Sequence, residues 1–195
     1  MKPIRSALFF LALTCCIVTA ESKDKDEKFT YKSSPLGISI KTFHVAHREF
    51  ECMDGKDPQA ICHSKGKSNY GGKMAKEATA FFIDGKMDKI EILFDYNDRP
   101  IASHLLAQSH YEELKEALVK KYGIPNKLND QKTSWGSNTN NVTSTWQKNG
   151  VILEFAYTVT KIDAGHHAAA TVVISANDHD EKWKKAGLRQ VKKSI

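Results

Sequence analysis

Two dipeptides that favour tight turns, Asp84-Gly85 and Asn149-Gly150, each separate two stretches in which apolar and polar residues alternate. Both central positions of a type I′ turn need a positive φ angle, which Asp, Asn and Gly tolerate. The alternation around these turns predicts two β-hairpins and a further strand after the second one. The expected strands are residues 78–84 with 86–95, residues 142–148 with 151–159, and residues 168–176 after a turn at 163–167.

The same alternation predicts which side chains of each hairpin are buried, because successive residues of a strand point to opposite faces. In the first hairpin the apolar face should carry Phe81, Ile83, Ile90, Ile92 and Phe94, and the wetter face Ala78, Ala80, Lys89 and Glu91. In the second hairpin the apolar face should carry Trp146, Leu153, Phe155 and Tyr157, and the other face Thr143, Thr145, Gln147 and Glu154.

A helix is predicted over residues 109–122, upstream of the second hairpin. Ser109 and Glu112 have the spacing of a capping box, and Gly123 followed by Pro125 would end the helix. Its apolar stripe consists of Tyr111, Leu114, Leu118 and Tyr122. Residues 125–141 are polar and are predicted to form a loop.

A shorter helix is predicted upstream of the first hairpin, capped by Thr42 and ending near Cys52. Helical spacing places four residues on one side: Phe43, Ala46, His47 and Phe50. Residues 52–77 are rich in Lys, Gly, Ser and Asn and are predicted to form a long surface loop.

This succession of elements predicts an α+β fold in which helix–hairpin units are repeated and helices pack on one face of a single antiparallel sheet. The two halves share negligible sequence identity, so the repeat is one of topology. A single domain is expected over residues 35–178. It would lie between a flexible charged leader at 21–34 and a basic C-terminal tail at 179–195.

Residues 1–20 have the pattern of a secretory signal peptide, with Lys2 and Arg5 before an apolar run at 7–18. We therefore expect cleavage after Ala20 and a periplasmic or secreted protein. This cleavage would remove two cations and no acid, so the formal net charge would fall from +6 to +4.

The cysteines bear on both processing and folding. Lipid attachment at Cys16 is the alternative to cleavage after residue 20, although Cys15 stands where Gly, Ala or Ser is expected. Cys52 and Cys62 form the remaining pair, and in an oxidising compartment they predict a disulfide bond worth about 2–3 kcal/mol. A metal or redox site is the alternative, but the spacing is not C-x-x-C and a metal would need two further ligands.

Several turn and cap motifs resemble those of small exported proteins of proteobacteria, most of them uncharacterised. The motifs are Leu36-Gly37-Ile38, the Cys52 and Cys62 pair, the strand-turn-strand at 81–94 with Asp-Gly-Lys, and the helix end Lys121-Tyr122-Gly123-Ile124-Pro125. In architecture the chain is similar to the helix–hairpin sandwich of β-lactamase-inhibitor-like proteins and of small outer-membrane assembly lipoproteins. The resemblance implies a protein that binds other proteins and catalyses nothing.

Histidines and acids provide the candidates for catalysis and metal binding. They are His44 with His47, Asp163 with His166 and His167, and Asp178-His179-Asp180. No zinc-binding spacing and no nucleophile elbow appears, so we expect no metal, no cofactor and no enzyme activity. A small hydrolase that uses His166, His167 or Asp163 is an alternative.

Two surfaces are candidates for binding. The loop at 125–141 carries Trp135, Asn138 and Asn140, and Trp135 either covers the core or anchors a partner. The tail carries Lys184, Lys185 and Arg189, together with Trp183, Val191 and Ile195 on one side of a helix if it is helical. Such a helix could bind an anionic membrane surface. No motif predicts binding of nucleic acid.

The sequence therefore favours an exported, non-catalytic protein-binding module. It would act as an inhibitor or immunity protein against a toxin or hydrolase of the envelope. The alternative is an envelope accessory or assembly factor that is held at the membrane by the basic tail or by a lipid.

Overall fold

A computed structural model of the chain describes residues 27–53, 58–96, 103–132, 139–162 and 165–193. The helices in these ranges are α1 (Ile40–Ala46), α2 (Ser103–Tyr122) and α3 (His179–Lys193). The strands of the first half are β1 (Thr30–Tyr31), β2 (Ser34–Pro35), β3 (Phe50–Cys52), β4 (Gln59–Ser64), β5 (Ser68–Tyr70), β6 (Lys73–Ala75), β7 (Glu77–Ile83) and β8 (Lys86–Asp95). Those of the second half are β9 (Lys127–Lys132), β10 (Thr139–Lys148), β11 (Val151–Ile162) and β12 (Gly165–Ala176).

Eight of these strands form one antiparallel sheet in the order β3-β4-β7-β8-β12-β11-β10-β9. The last strand of the chain, β12, therefore lies near the middle and joins the two halves. Two small sheets, β1-β2 and β5-β6, accompany it. The α+β class is as predicted, whereas the expectation of a single sheet holds only for the main one.

Both tight turns are present where the sequence predicts them. Asp84 and Gly85 have φ angles of 49° and 74°, and Asn149 and Gly150 have φ angles of 51° and 74°. Each turn consists of these two residues alone, because Ile83 pairs with Lys86 across the first turn and Lys148 pairs with Val151 across the second. Trp146 pairs with Leu153, so the second hairpin has the predicted register.

A β-bulge in the first hairpin reverses the predicted faces of β7. Phe82 pairs with Met87, whereas Phe81 pairs with Lys89, so that Asp88 is an extra residue on β8. Because side chains alternate with a period of two, this one-residue offset changes which residues of β7 lie beside the apolar residues of β8. The buried side chains of this hairpin include Ala78, Ala80, Phe82, Ile90, Ile92 and Phe94.

The predictions for β7 are therefore wrong in three places. Phe81 lies on the face opposite the core, beside Lys89, and Ala78 and Ala80 are buried rather than exposed. Ile83, next to the turn, is buried as predicted.

The long helix α2 covers the core face of the sheet and has the predicted apolar stripe, since Tyr111, Leu114 and Leu118 are buried. It begins at Ser103, so the predicted capping box is wrong: Ser109 lies inside the helix and its hydroxyl donates to Glu113. The helix ends as predicted, at a glycine (residue 123) with a φ angle of 84°.

The first helix is shorter than predicted. It begins after Ser39, whose hydroxyl accepts the Thr42 amide N–H at 3.1 Å, so Thr42 is not the cap. It ends at Ala46, and Phe50 belongs to β3. The predictions of loops at 52–77 and 125–141 are wrong where these segments contain strands β4, β5, β6 and β9. Strands β5 and β9 are mostly polar and β6 has only three residues, whereas the apolar residues of β4 form one short unbroken run, Ala60-Ile61-Cys62.

The third helix packs against the face opposite α2, so the helices do not all share one face. Its Trp183 ring lies 5.5 Å from the ring of Phe81, and Ala186 is completely buried. The Gln59 side chain of β4 donates to the Trp183 carbonyl at 2.7 Å. Within the described ranges, no helix has the length and apolar character needed to cross a bilayer.

Candidate functional site

An open cleft of about 740 Å³ lies at the β3 end of the main sheet. Three segments form its walls: the C-terminal part of α1 with the turn that follows, strand β3, and strand β4. The side chains that line it include His44, Val45, Arg48, Met53, His63 and Lys65.

The disulfide bond forms part of the cleft wall. Cys52 on β3 and Cys62 on β4 pair directly across the sheet and are bonded, as the sequence predicts. Cys62 is fully buried, so thiol–disulfide exchange at Cys52 would release a thiolate into the core, where desolvation disfavours it. The bond therefore braces the cleft, and this burial does not suit a redox centre.

Two apolar side chains of the cleft are strongly exposed. Val45 is 67% exposed and Met53 is 62% exposed. The reason at Val45 is that α1 is short and buries Phe43 as its one fully buried residue. Exposed apolar side chains that lie together in a concave region are typical of a binding surface.

Cations surround these apolar side chains. Neither Arg48 nor His44 forms an ion pair with another described residue, whereas Lys65 lies 2.5 Å from the Glu51 carboxylate. The His63 ring contacts the Thr79 hydroxyl at 3.1 Å. Among the described residues that line it, the cleft thus combines apolar side chains with positive or titratable groups and one carboxylate, that of Glu51.

Beside the cleft, His47 is buried among aromatic rings. Its Nε2 lies 2.8 Å from the Ser34 hydroxyl, and its ring is 4.6 Å from that of Phe43. Burial lowers the pKa of His47, although nearby Glu49 opposes the shift. No pattern in the sequence marks Ser34, because this residue of β2 reaches the His47 ring only through tertiary contacts.

Ser34, His47 and Glu49 have the residue types of a catalytic triad but not its geometry. Ser34 and His47 are 5% and 4% exposed, so a substrate would have little access to the hydroxyl. The Glu49 carboxylate lies 3.8 Å from His47 Nδ1, beyond hydrogen-bond distance, and pairs with Lys32 at 3.0 Å. The arrangement is a buried hydrogen bond that ties β2 to the end of α1.

Comparison with known proteins identifies the family but gives no activity. Residues 67–194 match a protein family described as "Uncharacterised protein". The chain belongs to this family. No curated protein matches it. The family match extends from β5 to α3, whereas the cleft residues, up to Lys65, precede the matched segment.

The other histidines that the sequence offers as candidates for catalysis or metal binding are not gathered into one cluster in the described ranges. His166 and His167 lie in strand β12 rather than in the predicted turn, and Asp163 is outside the described residues. His179 is buried and its ring lies 2.8 Å from the Asp88 carboxylate. Across the described ranges, no group of three or more His, Cys, Asp or Glu side chains is arranged to hold a metal ion.

Of the predicted loop residues, Trp135 and Asn138 lie outside the described residues. Asn140 is described; it is exposed on β10, next to the edge strand β9. The cleft and the described part of the predicted loop are therefore separate surfaces, since β3 and β9 are opposite edges of the main sheet.

The basic tail is mostly helical. Of the apolar side predicted for it, the described side chains include Trp183, whereas the side chain of Val191 and residue Ile195 lie outside them. Trp183 of α3 packs on the sheet, and Arg189 pairs with Asp84 of the first turn at 3.0 Å. Lys185 lies 3.4 Å from Glu181 one helical turn earlier, and Lys184 is exposed. The predicted membrane contact by this helix would therefore rest on exposed cations and on Leu188, which is 56% exposed, without the indole of Trp183.

Proposed function

We propose that this protein is an exported, non-catalytic protein-binding module, and that the cleft beside the Cys52–Cys62 bond holds an apolar, acidic segment of another envelope protein. The observation that carries the proposal is the exposure of Val45 and Met53 next to Arg48, which has no ion-pair partner among the described residues.

The chemistry of the cleft favours a protein segment as its occupant. Methionine adapts its shape to a partner, and arginine is enriched at protein interfaces, where it binds carboxylates in a fixed geometry. Covalent bracing by the disulfide also reduces the ordering cost of binding, because the walls formed by β3 and β4 are already joined.

The disulfide and the signal-like residues 1–20 support export, since disulfide bonds persist in oxidising compartments. In that location the role we propose is an inhibitor or immunity protein for a toxin or hydrolase. The position of Trp183 on the sheet gives less support to the alternative of a factor held at the membrane by α3.

A photo-crosslinking amino acid at Val45, introduced in the living host, tests the proposal. We expect one dominant crosslinked protein, and mapping should place the crosslink in an acidic and apolar segment of it. The matched control is a crosslinker at Leu105, which is similarly exposed (61%) but lies on α2.

Charge reversal then tests the recognition chemistry. Arg48→Glu should weaken the purified complex at least tenfold and abolish the crosslink from Val45, whereas Lys86→Glu, at an exposed position outside the cleft, should leave both unchanged. The proposal is wrong if Val45 and Leu105 yield the same set of products, or if Arg48→Glu binds as well as the parent chain.

A further inference from the structure

A second concavity, separate from the disulfide cleft, lies between α2 and two turns. It has a volume of about 470 Å³, within the range of roughly 300–1,000 Å³ typical of small-molecule sites. One wall is α2, and the others are the β1–β2 turn and the β5–β6 turn. We call it the α2 groove. Its lining includes Lys32, Tyr70, Leu114, Ala117, Leu118 and Lys121.

The walls of the α2 groove are held in place by specific contacts. Gly71 packs so close to Leu114 that a Cβ atom at residue 71 would overlap the leucine side chain. Lys73 of β6 pairs with Glu113 of α2 at 2.5 Å. On the other side, the Phe29 and Tyr122 rings meet edge to face at 4.9 Å.

The floor of the α2 groove is apolar, and the charged residues that line it are both cations. Leu114 and Leu118 are 3% and 4% exposed, and Ala117 lies between them on the exposed side of α2. Lys32 pairs with Glu49 at 3.0 Å and Lys121 with Glu27 at 3.8 Å, but neither carboxylate lines the groove. An ammonium group has three donors and surface pairs are weak, so both lysines can bind a further anion.

The α2 groove also contains a buried hydrogen-bond donor, the hydroxyl of Tyr70. Tyr70 lines the α2 groove and is 8% exposed, and its hydroxyl forms no hydrogen bond with any other described residue. Burial raises the pKa of this phenol, so the hydroxyl stays protonated and remains a donor. Buried donors are normally satisfied, and an anionic oxygen in the groove would accept from this one.

We infer that the α2 groove binds a single-chain anionic amphiphile. The acyl chain lies along Leu114, Ala117 and Leu118, and the anionic head accepts hydrogen bonds from Lys32, Lys121 and Tyr70. Two sources share this chemistry: a free long-chain carboxylate and an anionic lysophospholipid. This inference does not depend on the function proposed for the disulfide cleft.

The test uses the protein as its host exports it, with the Cys52–Cys62 bond intact, and the fluorescent carboxylate 11-dansylaminoundecanoate as the probe. Ala117→Trp should fill the groove and lower probe affinity at least tenfold. The control Gln108→Trp adds the same ring at an exposed position of α2 outside the groove and should leave affinity unchanged.

Conservative variants keep the test decisive if Ala117→Trp does not fold. Tyr70→Phe removes one hydroxyl and should weaken the probe about fivefold without lowering the melting temperature. Tyr111→Phe removes a buried hydroxyl outside the groove, which lies 3.4 Å from the Ser144 hydroxyl, and should not affect the probe. The inference would be overturned if the parent protein, the Tyr70→Phe variant and the Tyr111→Phe variant bound the probe with equal affinity.

Competition identifies the head group. Oleate or lysophosphatidylglycerol should displace the probe, and the one that competes more strongly identifies the ligand as a long-chain carboxylate or as a lysophospholipid. The uncharged detergent dodecyl maltoside should compete at least tenfold more weakly. The double variant Lys32→Gln with Lys121→Gln should abolish that preference. The control pair Lys86→Gln with Lys120→Gln, of equal charge change, should retain it. Equal competition by charged and uncharged amphiphiles, or an unaltered preference in the first double variant, would refute the inference.

Discussion

Trp146 offers the most direct test of how the sheet and α2 are joined. The side chain is 2% exposed, on the core face of β10, and its indole N–H donates to the carbonyl of Gly123 at 2.7 Å. Gly123 immediately follows the last residue of α2. The tryptophan therefore both fills the core and anchors the end of the helix.

Two substitutions separate these contributions. Trp146→Ala removes the whole ring system from a buried site, for which the expected cost is about 3–5 kcal/mol of unfolding free energy. Trp146→Phe keeps an aromatic ring but loses the hydrogen bond, whose net contribution is about 1 kcal/mol. For a domain of this size, the alanine variant should lower the melting temperature by about 6–20 °C.

Urea unfolding followed by far-ultraviolet circular dichroism is the suitable assay, because the substitution itself changes tryptophan fluorescence. Trp183→Ala is the matched control: this tryptophan is only half-buried on α3, and its loss should cost less. The reasoning fails if Trp146→Ala lies within about 1 kcal/mol of the parent, or if Trp183→Ala is the more damaging change.

Three further predictions concern single features of the fold. Replacing Cys52 and Cys62 by alanine should lower the unfolding free energy by about 2–3 kcal/mol in urea titrations, since the bond restricts the unfolded chain. Burial lowers the pKa of His47 below its usual value of 6.5, so as the pH falls the unfolded chain takes up this proton before the folded one does. The free energy of unfolding should therefore fall as the pH drops below about 6.5. His47→Gln should make the unfolding free energy less dependent on pH between about pH 7 and 5. Gly71→Ala should destabilise more than Gly72→Ala, although both glycines have positive φ angles, because only at residue 71 does a Cβ meet a buried leucine. Equal melting temperatures for the two glycine variants would contradict the close packing described here.

Much of the fold could be predicted because its signals are local. The two Asp-Gly and Asn-Gly turns, the apolar stripe of α2 and the glycine after it each depend on a few neighbouring residues. The bulge at Phe81 and Phe82 was missed, although the sequence carries a signal of it: the buried residues Met87 and Ile90 are three positions apart, with Asp88 and Lys89 between them, which breaks the period of two. Strands such as β5 and β9 were missed because polar strands satisfy their backbone by pairing, without an apolar face.

The candidate sites show the same division. The disulfide between Cys52 and Cys62 was predicted because these are the two cysteines left if residues 1–20 are removed, and the bond is present. Val45 and Met53 gave no signal, since their exposure follows from the short α1 and from the position of β3 at the sheet edge. The α2 groove joins residues of β1, β5 and α2, so that no single stretch of sequence carries its pattern.

The position of β12 sets the order in which this chain can finish folding. Ile174 pairs with Ile90 on β8 and with Leu153 on β11, so among the described strands the two halves of the main sheet are joined through β12, which comes after all the others in sequence. Until that strand arrives, β8 has an unpaired edge and the core beneath it stays incomplete, and such long-range pairing is slow to form. A chain built in this way completes its core only when its C-terminal part becomes available for pairing, however early the two hairpins form.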